Sequence, residues 1–265
     1  MATRTDSQVI QRLDELAAGE GLSRPLELYR RLLQIQSDTE TAKPNISLDK
    51  ETASRRLADG HPLLEFSDLA IDWTALRDTI DRIISLLAEY PEFPAEVFSN
   101  TSDVQGSVRG WFEKKPLPEA NGNRPIIDFV LQSAMKPVLT GYAEAVFGLV
   151  DQEQWRRGYC PVCGGRADFG FLHTETGARW LLCSRCDAQW LFQRLECPDC
   201  GNQEPGKLAY FTDEQGLYRL YTCENCRRYL KAIDLRRAGV EVLLPLERLL
   251  TLHLDIQARE SGYIE

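Results

Sequence analysis

Eight cysteines are the residues of this sequence with the clearest chemistry, because all of them occur in Cys-x-x-Cys pairs. The four pairs lie between residues 160 and 226, and no cysteine precedes them. A Cys-x-x-Cys turn places two sulfurs on one tight loop, and two such loops facing each other form a tetrahedral four-sulfur site. The sequence therefore predicts two metal sites with the ligands Cys160, Cys163, Cys183, Cys186, Cys197, Cys200, Cys223 and Cys226.

The four pairs can combine into two sites in three ways. We expect the first pair to combine with the second and the third with the fourth, because each site then closes the shorter loop at the smaller entropic cost. Gly164 and Gly201 follow the leading pairs and allow a positive φ, which turns backbone amides toward a sulfur. Turns of the Cys-Pro-x-Cys-Gly kind occur in rubredoxins and in zinc ribbons, so the spacing leaves the metal open.

Two copies of one β-hairpin pattern connect the cysteine pairs. Each copy runs from Cys-Pro-x-Cys-Gly through a β-rich segment, with a turn near Gly177 or Gly216, to a second pair and an aromatic-Leu step. Units this small bury little aliphatic surface, so large aromatic side chains and a bound metal must stabilise them. We predict two tandem rubredoxin-like, or zinc-ribbon-like, modules at residues 155–194 and 195–240.

Helical periodicity dominates the chain before these modules. Ser23 and Pro25 are typical of a helix start, residues 76–87 carry an apolar stripe, and the apolar stretch 126–150 contains Pro137, which kinks or divides a helix. We predict one closing helix over residues 245–257. The predicted fold is therefore α+β, with an all-helical domain at 1–154, the two modules, and a C-terminal helix and tail at 241–265.

Residues 100–124 interrupt the helical pattern with several glycines and prolines. We expect a long surface loop here, anchored by Trp111 and Phe112. A partner-binding loop is the alternative interpretation.

Charge and hydropathy exclude several classes of protein. The 265 residues include 31 Lys+Arg and 40 Asp+Glu, a net charge of −9 that disfavours nucleic acid and anionic membranes as partners. Eight thiolates loaded with two divalent ions lower that charge to −13, and two ferric ions give −11. No apolar run reaches the length of about 18 residues that a membrane span needs. The polar start indicates no secretory signal, so we expect a reducing compartment in which thiols bind metals.

Catalytic signatures are missing from the sequence. We find no paired carboxylates, nucleophile elbow or phosphate loop in a supporting context, and predict a protein that is not an enzyme, with no catalytic and no organic-cofactor residues. For His61, His173 and His253 we expect surface or capping roles, because two four-sulfur sites need no histidine ligand.

Several segments of the C-terminal part are more specific than any single cysteine pair. They are residues 160–165, 179–186, Trp190, 195–201, 223–226, the step Tyr229-Leu230-Lys231, and 258–263. Together they resemble the FdhE family of formate dehydrogenase accessory proteins, while the helical first half agrees with that family only in length and character. This sequence has Arg227 where the family often has glycine after its last cysteine.

The resemblance implies a cytoplasmic assembly factor that binds the catalytic, molybdopterin-bearing subunit of formate dehydrogenase during maturation. It also implies that the eight cysteines hold two rubredoxin-like iron sites, so iron is favoured over zinc. Self-association stays open. Two alternatives remain, a rubredoxin-like electron carrier and a zinc-ribbon binding protein.

Overall fold

The computed structural model describes residues 4–19, 21–93, 103–115, 124–239 and 241–264. Eight α-helices and six strands are assigned within these ranges, together with short 3-10 turns. The helices are α1 (Arg4–Gly19), α2 (Arg24–Asp38), α3 (Lys50–Ala58), α4 (Trp73–Leu87), α5 (Val104–Phe112), α6 (Arg124–Val146), α7 (Leu244–Leu250) and α8 (Leu252–Glu260). The strands are β1 (Ala167–Leu172), β2 (Arg179–Cys183), β3 (Gln189–Phe192), β4 (Leu208–Thr212), β5 (Tyr218–Cys223) and β6 (Arg228–Asp234).

The chain divides into two compact units. One consists of Met1–Asn45 with Glu65–Tyr142, and the other of Ile46–Leu64 with Ala143–Glu265. We call them the helical unit and the cysteine unit. The domain boundaries at 154, 194 and 240 remain a prediction from the sequence.

Capping and apolar stripes define the helical unit. The chain enters α2 at Ser23 with a proline in the first turn, as the sequence predicts. The Asp72 carboxylate accepts hydrogen bonds from the amides of Thr74 and Ala75 and so caps α4. Residues at helical spacing on α1, α2 and α4 are buried and form the core: Val9, Leu13, Leu32, Leu33, Leu76, Ile80, Ile83 and Leu87. Further along, α6 is one helix that contains Pro137.

Our prediction of a surface loop at residues 100–124 is wrong for the central part of this segment. Residues 104–112 form α5, and the Asp103 side chain accepts a hydrogen bond from the Gly106 amide at 2.8 Å. Val104, Val108, Trp111 and Phe112 are buried. Apolar residues at i, i+4 and i+7 after an aspartate cap are typical of a helix. The two glycines in this segment led us to predict a loop instead. Residues 100–102 and 116–123 lie outside the described part of the chain.

A single six-stranded sheet forms the middle of the cysteine unit, in the order β3-β2-β1-β6-β5-β4. Neighbouring strands within each half are antiparallel, which confirms the two predicted hairpins. The aromatic residue and leucine that follow each second cysteine pair lie in a third strand, which is β3 in the first module and β6 in the second. Parallel pairing of β1 with β6, from Phe169 opposite Lys231 to Leu172 opposite Asp234, joins the halves into one sheet.

Two short helices close the cysteine unit where the sequence predicted one. They meet at Thr251, whose buried hydroxyl donates to the Glu247 carbonyl at 2.6 Å. One core cluster contains Phe169, Phe171, Leu182, Ile233 and Leu244, and another contains Leu220, Tyr229, Leu254, Ala258 and Tyr263. In the described ranges no helix is both long enough and apolar enough to cross a bilayer.

Candidate metal centres

The eight cysteines gather into two groups of four. In each group the four Sγ atoms all lie within 4.8 Å of one another. The first group is Cys160, Cys163, Cys183 and Cys186, and the second is Cys197, Cys200, Cys223 and Cys226. Neighbouring pairs therefore combine, as the loop-length argument predicted. No histidine belongs to either group among the described residues.

The spacing of the sulfurs fits a tetrahedral ion. In the first group, Cys163 Sγ lies 3.5 Å from the sulfurs of Cys183 and Cys186. In the second, the Cys197–Cys226 and Cys200–Cys223 distances are both 3.7 Å. A metal–sulfur bond of about 2.3 Å gives tetrahedral S···S edges of about 3.8 Å, whereas a disulfide requires about 2.0 Å. The two groups are suitable for two metal ions, and the geometry does not distinguish zinc from iron.

All four cysteine loops end in the same left-handed turn. Gly164 and Gly201 close the leading loops with φ of 68° and 69°, as the sequence predicts. The trailing loops place Asp187 and Arg227 in this conformation, with φ of 56° and 57°. A side chain in this region is strained, so these two residues need contacts that hold them.

An arginine from α7 holds the trailing loop of the first group. Arg248 donates to the Asp187 carboxylate and to the Cys183 carbonyl, both at 2.7 Å, and pairs with Asp168 at 3.1 Å. These contacts offset the strain at Asp187 and connect the cysteine loop to the C-terminal helices. Sequence reasoning missed Arg248, because it lies 61 residues after Asp187 and belongs to no local pattern.

The C-terminus holds the trailing loop of the second group. Arg227 pairs with Glu224, donates to the Ser261 carbonyl at 3.1 Å and lies 4.2 Å from the centroid of the Tyr263 ring. The Ile264 amide donates to the Arg227 carbonyl at 2.7 Å. Arg227 therefore anchors the end of the chain, in the position where the resemblance led us to expect glycine.

Hydrogen bonds and burial affect the sulfurs differently in the two groups. In the first, the amides of Val162 and Arg185 donate to Cys160 and Cys183 at 3.4 Å. Burial raises the pKa of Cys160 well above its ordinary value, whereas hydrogen bonds with the neighbouring thiols hold the pKa of Cys163 well below it.

In the second group burial also acts on the thiols, but a side-chain donor opposes it at one of them. Burial raises the pKa of Cys226 to about 11. At Cys200, burial raises the pKa, but hydrogen bonds lower it by more, and the pKa falls to about 7. One of these hydrogen bonds comes from the side-chain amide of Asn225, whose nitrogen lies 3.5 Å from the sulfur.

Comparison with known proteins places this geometry in a family. The family model described as "FdhE, central domain" matches residues 159–194, the segment with the first cysteine group. An FdhE homologue from Aquifex aeolicus is 31% identical over 92% of this chain and 84% of its own length. The chain belongs to the FdhE family. This membership confirms the resemblance read from the cysteine segments.

Other FdhE proteins extend the comparison. The homologue from Pseudomonas aeruginosa is 29% identical over 96% of this chain and 85% of its own, and Escherichia coli FdhE is 26% identical over 96% and 83%. The crystal structure of FdhE from P. aeruginosa superimposes with a TM-score of 0.64 at 23% identity, covering 100% of this chain and 95% of that one. The described residues therefore share the fold of P. aeruginosa FdhE.

Proposed function

We propose that this chain is a cytoplasmic assembly factor for formate dehydrogenase, which binds the catalytic subunit during maturation and is not itself an enzyme. The observation that carries the proposal is the pair of four-cysteine groups in a chain of the FdhE family. Its net charge of −9 supports a protein rather than a nucleic acid as the partner.

The eight cysteines are proposed as the ligands of two ions, with iron favoured. A bound ion would supply a tetrahedral cross-link, and iron would add one-electron chemistry. The protein's own contribution is to fix the four loops. Arg248 and Arg227 hold the trailing loops, and backbone amides donate to sulfurs of the first group.

A rubredoxin-like electron carrier is the second candidate, favoured by the same cysteine groups. An electron carrier needs one small module, whereas this chain also has a helical unit of more than 100 residues. Anaerobic purification with metal analysis and a visible spectrum separates the two, because a colourless protein that holds only zinc cannot be a carrier of this kind.

Capture of the partner tests the proposal directly. A tagged full-length chain is expected to retain the catalytic subunit of formate dehydrogenase from an anaerobic extract at low salt. The variant Cys183→Ser, which disrupts the first group, is the matched control and is expected to retain less. A clean capture that contains no catalytic subunit would contradict the proposed role.

A further inference from the structure

The two cysteine groups differ in how far solvent reaches their sulfurs. All four cysteines of the first group are buried, whereas in the second Cys200 is exposed and Cys226 is half-buried. The loops have the same turn in both groups, so the difference must come from what packs over them.

A segment from much earlier in the chain covers the leading loop of the first group. The amides of Leu63 and Leu64 donate to the carbonyls of Pro161 and Val162 at 2.9 Å, as in a short piece of strand. Both leucines are buried. Pro62 lies so close to the turn that a Cβ atom at Gly164 would be 3.0 Å from its Cγ. This leading loop is therefore covered.

The trailing loop of the same group is covered from the other side. Arg248 contacts both Asp187 and the Cys183 carbonyl, and its side chain is only 13% exposed. An ion in the first group would be enclosed by residues 61–64 and by α7.

In the described part of the chain, the leading turn of the second group lacks the cover that Pro62 places on Gly164. A Cβ atom at Gly201, the counterpart of Gly164, would have no described atom within 4 Å. β4 begins beside this group, with Leu208 opposite Cys223, and its residues Ala209–Thr212 are all exposed. Cys200 is thus an exposed member of a group that lies beside an open strand.

We infer that the second cysteine group is an exchange site, open through Cys200 to an external soft ligand such as a thiol or a chelator, while the first group is closed and structural. This inference rests on the proposed metal binding. Exchange is a ligand substitution without change of oxidation state. The incoming thiol releases a proton as it binds, and the departing Cys200 thiolate takes up a proton. A cysteine side chain of a protein partner has the required chemistry.

Release of zinc to a chromogenic chelator tests the inference, because zinc excludes redox side reactions. The full-length chain is first loaded with zinc and shown to hold two ions. On addition of 4-(2-pyridylazo)resorcinol we expect two phases of equal amplitude, one at least roughly tenfold faster, since exposed thiolates react before buried ones. Iodoacetamide labelling with mass spectrometry is expected to modify Cys200 before any cysteine of the first group.

Two variants assign the phases. Cys200→Ser is expected to accelerate the fast phase alone, and the matched change Cys163→Ser the slow phase alone. Pro62→Ala uncovers the first group while keeping all its ligands, and is expected to accelerate the slow phase only. A single release rate for both ions, or labelling of the first group before Cys200, would overturn the exchange inference. A chain that retains neither zinc nor iron would instead overturn the proposed metal binding.

Discussion

Two equivalent glycines allow the strain of the cysteine turn to be separated from the packing over it. An alanine at either Gly164 or Gly201 meets the left-handed backbone penalty of about 1–2 kcal/mol. Only at Gly164 does the new Cβ also press on Pro62. Gly164→Ala is therefore expected to lower the melting temperature of the metal-loaded protein more than Gly201→Ala does. Equal losses for the two variants would show that residues 61–64 do not pack on this turn.

Lys231, in the Tyr-Leu-Lys step after the last cysteine pair, forms a buried ion pair with α8. Its Nζ donates to Asp255 at 2.6 Å, and the Tyr229 hydroxyl donates to the same carboxylate at 2.9 Å. Asp255→Asn leaves Lys231 buried without a counter-charge and is expected to lower the free energy of unfolding by about 3 kcal/mol. Glu15→Gln at the exposed Arg12–Glu15 pair is the control, with an expected change below about 0.5 kcal/mol. If urea unfolding shows a similarly small loss of stability for Asp255→Asn and Glu15→Gln, the buried ion pair does not stabilise the fold as proposed.

At the scale of elements, Asp234 ties the end of β6 to β5. Its buried carboxylate accepts hydrogen bonds from Arg236 and from Arg219 of β5, and these hold the pKa of Asp234 at about 2. This pKa is below the value of about 3.9 for an aspartate in an unfolded chain. The ionised carboxylate of Asp234 therefore stabilises the fold fully above about pH 3.9, and this stabilisation is lost as the pH falls through 2. Asp234→Asn is expected to be less stable at pH 5, with the difference from wild type narrowing between pH 4 and 2. Urea unfolding of both proteins at the same pH values measures this difference in stability. The effect of pH on the cysteines is the same in both proteins and cancels. A difference that stays constant with pH would contradict the assignment.

Elements with local signals were predicted from the sequence, and elements that depend on distant contacts were not. The hairpins and the pairing of the cysteine loops follow from spacing within about 30 residues. The parallel pairing of β1 with β6 joins Phe169 to Lys231 across the whole metal-binding region, and nothing local encodes it. The cover that Leu63 and Leu64 place on the first group is equally distant. At α5 the signal was present, but two glycines in nine residues masked it.

At the scale of the whole molecule, the two compact units have different sources of stability. The helical unit buries aliphatic stripes along its helices, which stabilise it without any ligand. In the cysteine unit, four loops converge on two clusters of four cysteines, where a bound cation would act as a cross-link. We therefore expect the folded state of the cysteine unit, unlike that of the helical unit, to depend on cations bound at these clusters.

Removal of metal is accordingly expected to unfold the cysteine unit and leave the helical unit folded. Structural zinc contributes about 10 kcal/mol or more in small modules, which exceeds what a thin core supplies. Three of the five tryptophans, Trp155, Trp180 and Trp190, lie in the cysteine unit and report on it by fluorescence. Under a strong chelator their emission is expected to shift to the red while most of the helical signal at 222 nm persists, and added metal is expected to reverse the shift. Loss of both signals together would show that the two units unfold as one, and loss of neither would show that the cysteine unit is stable without metal.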